Sequence, residues 1–78
     1  MKPIVTEKAV MLIETENVLT FKTSKKKTRT EIKEEFEELF DAKVKRVRTL
    51  LKGNSKYAYI KLKKESPAID IATKLGII

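Results

Sequence analysis

Apolar and polar positions along this chain change period several times, and each change marks an element boundary. Lys2-Pro3-Ile4-Val5 reads as a short extended piece, which Pro3 confines to a strand start or a sheet edge. Thr6 suits a helix N-cap, and Glu7 puts a negative charge in the first turn, where the helix dipole favours it. Ala9, Leu12 and Ile13, supplemented by Val10 and Met11, form an apolar stripe that predicts a mostly buried helix from about Glu7 to Glu14. Asn17 breaks this pattern. Val18 to Thr23 is β-branched and aromatic enough for a strand, with Leu19 and Phe21 on one face and Thr20 and Lys22 on the other.

Ser24 to Lys27 is a polar, basic loop, and Thr28-Arg29-Thr30-Glu31 then matches a capping box. A helix from about Arg29 to Phe40 or Asp41 follows. Its apolar stripe is Ile32, Phe36, Leu39 and Phe40, and Glu34, Glu35, Glu37 and Glu38 fill the positions between. From Arg46 the period becomes two: Val47, Thr49 and Leu51 face one way, Arg46, Arg48 and Lys52 the other, with Leu50 among the latter. Val44 is out of phase with Val47, which predicts a bulge or a strand start near Lys45. Gly53-Asn54-Ser55 has hairpin-loop chemistry, and Ala58, Ile60 and Leu62 on the return strand alternate with Tyr57, Tyr59, Lys61 and Lys63. Ser66-Pro67 predicts an N-cap with proline at the first helical position. Ala68, Ile71, Ala72 and Leu75 follow at helical spacing, and Gly76 suits the C-terminal cap, with Ile77 folding back. The expected architecture is α+β in the order β-α-β-α-β-β-α: a small antiparallel sheet of three to four strands covered by helices, as one domain spanning 1–78.

Composition narrows the possible chemistry. A domain of 78 residues buries only about 60% of the surface its unfolded chain exposes, leaving little room for a deep, water-excluding pocket. No apolar run approaches the roughly 20 residues of a membrane span, and Met1, Lys2 and Pro3 lead straight into patterned sequence with no signal-peptide h-region, so a soluble, cytoplasmic protein is expected. Cysteine and histidine are both absent. Thiolate chemistry is excluded, a metal site would need carboxylates alone, and no cofactor is expected. The carboxylates that do cluster sit on a solvated helix face, and Gly53 and Gly76 are the only glycines, too few for a phosphate-cradling loop. These features describe a non-enzyme.

Charge changes the picture more. Eighteen Lys and Arg against eleven Asp and Glu give +7, which favours an anionic partner, nucleic acid first. A surface of ion pairs suited to high temperature would account for the total but not for the sorting of signs along the chain. Lys22, Lys25, Lys26, Lys27 and Arg29 form one cationic run, dense enough to meet several phosphates or to be a solvated loop. Arg46, Arg48, Lys52, Lys56, Lys61 and Lys63 lie on the paired strands. By parity several share a face with Tyr57 and Tyr59, whose rings either stack on bases or pack under a helix. Arg46 and Arg48 are the strongest phosphate ligands of the set, because a guanidinium makes two parallel hydrogen bonds.

Val5-Thr6-Glu7-Lys8-Ala9, Asn17 through Phe21, Glu31-Ile32-Lys33 with Glu38-Leu39-Phe40, and Val44-Lys45-Arg46-Val47-Arg48-Thr49 together resemble the universal large-subunit ribosomal protein family number twenty-three. Lys56 through Leu62, Ile69-Asp70-Ile71-Ala72 and Lys74 through Ile78 are similar to its archaeal and eukaryotic branch. The resemblance implies a primary rRNA-binding protein, a monomer within the ribosome, at the rim of the polypeptide exit tunnel. Its partners would be large-subunit rRNA, neighbouring ribosomal proteins and nascent-chain factors such as signal recognition particle. Lys8, Lys45, Tyr57 and the cations of both groups, Lys63 excepted, are the candidate rRNA contacts. Glu7, Phe40 and Asp41 match the family's factor-docking positions; without the family likeness they read as a dipole partner, a core ring and a helix end. Two departures stand out. The family's frequent Val-Asn-Thr is Val47-Arg48-Thr49 here, and the long basic loop of bacterial members shrinks to Lys52 to Lys56, too short to line the tunnel wall. Outside the family, the same basic sheet would suit a free nucleic-acid-binding or adaptor module, and an acylphosphatase-like enzyme is disfavoured by the missing phosphate loop.

Overall fold

The computed structural model describes the whole chain, residues 1–78. Its elements run β1 (Lys2–Pro3), α1 (Glu7–Glu16), β2 (Val18–Thr23), α2 (Arg29–Phe40), β3 (Val44–Lys52), β4 (Ser55–Leu62) and α3 (Ala68–Lys74), the α+β order that the periodicity predicts. The four strands form one antiparallel sheet ordered β1-β2-β4-β3. The two-residue β1 lies at the edge that Pro3 tolerates, since proline has no N–H to give to a further strand. No helix is long and apolar enough to cross a membrane.

One sheet face carries the core. Leu19 and Phe21 of β2, Ala58, Ile60 and Leu62 of β4, and Val44 and Val47 of β3 pack there against Ile32 and Phe36 of α2 and Ala68, Ile71 and Ala72 of α3. The rings of Phe21 and Phe36 meet edge to face with centroids 5.7 Å apart, and Phe40 closes the cluster 4.7 Å from Phe36. Each such burial is worth roughly 1.5–3 kcal/mol, more than the ~1 kcal/mol of an N-cap, so packing makes α2 and capping positions its start. The capping box forms as predicted: the Glu31 amide donates to the Thr28 hydroxyl, and the Thr28 amide donates to the Glu31 carboxylate.

Several expectations are corrected. The first helix extends to Glu16 and is mostly exposed, because only Ala9 and Ile13 are buried and Met11 points to solvent. Leu39 leaves the α2 stripe, since Ile32, Phe36 and Phe40, four residues apart, already fill the side that faces the sheet. Leu51 shares the parity of Val47 but lies at the hairpin end, beyond the core cluster, and is exposed. The hairpin loop is Gly53-Asn54 alone, with Lys52 paired to Ser55; a positive φ of 62° at Gly53 and none at Asn54 is the pattern of a type II′ turn. Pro67 is itself the N-cap residue of α3, and the Ser66 hydroxyl instead accepts from the Lys43 amide. The cap comes from far away: Asn17 Oδ1 accepts from the Ala68 amide at 2.6 Å.

Two local predictions hold in detail. The β3–β4 register slips between Val44 and Arg46, which places the bulge at Lys45 and returns both Val44 and Val47 to the core. At the end of α3, Gly76 takes φ 75° and donates to the Thr73 carbonyl, while the Ile77 amide reaches the Ala72 carbonyl. This is the Schellman arrangement, and Ile77 folds back onto the core.

Candidate nucleic-acid interface

The sheet face opposite the core is open over β3 and β4, whereas Val18 and Thr20 of β2 are buried on it, next to α1. Side chains directly paired across strands share a face, so the register sets Arg46 beside Lys61 and Val18, Arg48 beside Tyr59 and Thr20, and Leu50 beside Tyr57 and Lys22. Lys52 ends this row at the hairpin. α1 stands beside it: Ile13 reaches the core, whereas Lys8, Leu12 and Glu16 border the open face. The half-buried tyrosines therefore lie on the face away from α2 and α3, with cations to either side.

A second cationic cluster wraps the β3 edge. Arg29, Thr30 and Lys33 of α2 line a shallow depression with Lys45, Arg46 and Val47 of β3, and no carboxylate takes part in it. Lys33 escapes sequence reading because it stands among the glutamates of α2, and only the packing of that helix against β3 carries it to Lys45. Arg46 lines both this depression and the open face, joining the two surfaces.

Other candidates lie elsewhere. Lys25 and Lys26 occupy the exposed turn after β2. Lys27 pairs with Glu35 of α2, the one ion pair in the molecule. Lys56 pairs with Leu51 and Thr23, hence points to the opposite face from Tyr57, and its ammonium donates to the Lys27 carbonyl at 2.6 Å. Glu7 is exposed without a hydrogen-bond partner, the α1 cap being Thr6, whose hydroxyl accepts from the Ala9 amide. Phe40 is half-buried against Phe21 and Phe36, and Asp41 is exposed in the left-handed conformation that ends α2.

The electrostatics follow from this placement. Seventeen of the eighteen Lys and Arg form no ion pair, so their charge is free to act outward rather than being spent on a network of glutamates. The α2 carboxylates are on the helix layer, behind the sheet. One of them, Glu37, accepts from the Val44 amide at 3.1 Å and so anchors the start of β3. Such an arrangement can hold a polyanion along the open face with two guanidinium groups, several ammonium groups and two aromatic rings.

Residues 1–69 match the family model described as Ribosomal protein L23. The chain is 50% identical over 78 residues to the large ribosomal subunit protein uL23 of Methanothermobacter thermautotrophicus, covering 99% of this chain and 91% of that protein. It is 51% identical over 77 residues to the uL23 protein of Methanococcus aeolicus, covering 96% of this chain and 88% of that one.

Proposed function

The chain belongs to the family of ribosomal protein L23, and from that membership we propose that it binds large-subunit rRNA at the rim of the polypeptide exit tunnel through its open sheet face. It is a large-subunit ribosomal protein of the archaeal type, and the family is structural rather than enzymatic. Its partners in the ribosome are rRNA and neighbouring ribosomal proteins. The observation that carries the binding reading is the sorting of charge: Arg46, Arg48, Lys52, Lys61 and Lys22 share one sheet face with Tyr57 and Tyr59, and the glutamates of α2 are on the other side. Family likeness supports the exit-tunnel rim as the location, and Glu7, Phe40 and Asp41 as the surface offered to nascent-chain factors such as signal recognition particle.

Sedimentation tests the assembly. The protein is expected to travel with large subunits through a high-salt wash, as a buried rRNA contact resists counterion competition better than a peripheral one. Release as a free monomer at modest salt would instead identify a nucleic-acid-binding module that works away from the ribosome. The docking surface has its own test. Because Glu7 is exposed and unpartnered, Glu7→Ala removes at most a dipole interaction of about 0.3–1 kcal/mol. It should leave rRNA affinity within twofold and reduce recruitment of factors to reconstituted subunits; a protein that melts many degrees lower would return Glu7 to a helix-end role.

A further inference from the structure

Two hollows adjoin on the open face, and they share Lys8, Leu12 and Tyr59. The first, about 200 Å³, is walled by Ile4, Ala9, Leu12, Leu50, Tyr57 and Tyr59. The second, about 240 Å³, holds Arg46, Arg48 and Lys61, with Glu16 as its single acid. Tyr59 thus separates an apolar recess from a cationic one. Neither reaches the roughly 300–1,000 Å³ that encloses a whole drug-sized ligand, and both are open to solvent.

A surface that met only a duplex would have no use for an apolar recess in its middle. An A-form helix presents phosphates and ribose hydroxyls and keeps its bases stacked inside, so nothing on it would fill the space beside Leu12 and Leu50. An unpaired nucleotide has both parts, a flat apolar ring and a charged phosphate, to match an apolar hollow adjoining a cationic one. A further observation points the same way. Thr20 lines the apolar recess, and its hydroxyl is buried with no hydrogen-bond partner. Such a group is uncommon in a folded protein, where most buried polar atoms find a partner. The hydroxyl is closed to solvent, so it is polar capacity left unused at the recess wall.

We propose that the recess beside Tyr59 receives a single unstacked base of an rRNA strand, with flanking phosphates on Arg46, Arg48 and Lys61 at one side and on Lys52 at the other, Lys8 bordering both. The inference rests on the rRNA-binding reading and specifies it: the open face takes a looped or extruded single strand rather than helical RNA. Lys8, Arg46, Arg48 and Lys61 outnumber Glu16 in the lining of the cationic hollow, so its net charge still favours a phosphate.

The protein contains its own reporter, because it has no tryptophan and its only two tyrosines, Tyr57 and Tyr59, both line the recess. A short oligouridylate should quench tyrosine emission on binding, while a blunt RNA duplex of the same length binds without quenching. Tyr59→Leu should weaken oligouridylate binding by roughly five- to 150-fold, the range for loss of one base–aromatic stack, with duplex affinity and salt dependence unchanged. Tyr59→Phe keeps the ring and should bind as the parent does. If the parent binds oligouridylate without quenching, or quenches equally with duplex, while a large-subunit rRNA transcript is still held in a salt-dependent way, the recess proposal is overturned and the rRNA reading stands. If the transcript is not held at all, the rRNA reading fails first.

Discussion

Asn17→Ala is expected to lower the free energy of unfolding by about 2–4 kcal/mol and the melting temperature by roughly 10–25 °C, the largest stability loss of any single polar residue here. The side-chain amide sits at a junction of three elements. Its Nδ2 donates to the carbonyls of Leu62, Lys63 and Ser66 at 3.1, 3.2 and 3.3 Å, and its Oδ1 accepts from the Ala68 amide. The Asn17 carbonyl also accepts from the Leu62 amide, and its backbone ends α1 in the left-handed region at φ 57°. Alanine would strand the first amide of α3, leave three carbonyls short of a donor, and carry a Cβ in a conformation that disfavours it by about 1 kcal/mol. Glycine should recover only that last part. Aspartate should do no better than alanine, since it replaces the donor by an oxygen facing three carbonyl oxygens. A domain of this size has a total stability of roughly 4–12 kcal/mol, so the alanine variant should be visibly unfolded at moderate denaturant. Denaturation followed by circular dichroism checks this, and a loss below about 1 kcal/mol would mean that the junction is held by packing alone.

Asn17 also marks the limit of what periodicity reveals. A break in the α1 pattern was visible at that position, but its partners lie as far along the chain as Ala68, and no local spacing connects them. For the same reason local pattern points to Ser66 as the cap of α3: a serine before a proline is a sound local signal, and the residue that takes the role comes from the other end of the domain. Signals whose cause is local were legible. The Thr28–Glu31 box, the bulge at Lys45 and the glycine end of α3 each depend on residues a few positions apart. Burial was legible only as direction. The α1 stripe identified Ala9 and Ile13 correctly, yet not that the helix stands beside β2, with little of its surface covered.

The open face divides along the same line. Strand parity put Tyr57, Tyr59, Arg46 and Arg48 on one face, because alternation fixes orientation wherever a strand exists. It could not give the third dimension. Lys27 belongs to a basic run in sequence and to Glu35 in space, and Lys33 belongs to an acidic helix in sequence and to Arg29 and Lys45 in space. The recess itself is assembled from β1–α1, β2 and the β3–β4 hairpin, and only the sheet order brings those together. The scarcity of ion pairs is equally a spatial fact. It weighs against the thermal explanation of the charge content, since a stabilising network would pair many of these side chains.

Reversing Arg46 and Arg48 together, as Arg46→Glu with Arg48→Glu, is expected to weaken binding of large-subunit rRNA by roughly a hundredfold or more while leaving the fold intact. Both residues are exposed on the edge strand β3, and their guanidinium groups make no hydrogen bond or ion pair within the protein, so the change should move stability by no more than about 0.5 kcal/mol. The effect on a polyanion is larger for two reasons. Each guanidinium can hold a phosphate through two charge-assisted bonds, and each substitution shifts the charge by two, taking the net from +7 to +3. Loss of two phosphate contacts should also flatten the dependence of log affinity on log salt by about 1.4–1.8, a signature that unfolding would not imitate. Arg46→Lys with Arg48→Lys should keep most of the salt slope and lose part of the affinity, because an ammonium is a point charge without the fork. Lys27→Gln is the matched control: its charge already faces Glu35, so affinity should change less than twofold. Filter binding across a salt series decides the matter. If the double reversal binds as tightly and with the same slope as the parent, the rRNA does not lie on the open face, and the cluster of Arg29, Lys33 and Lys45 around the β3 edge becomes the surface to mutate next.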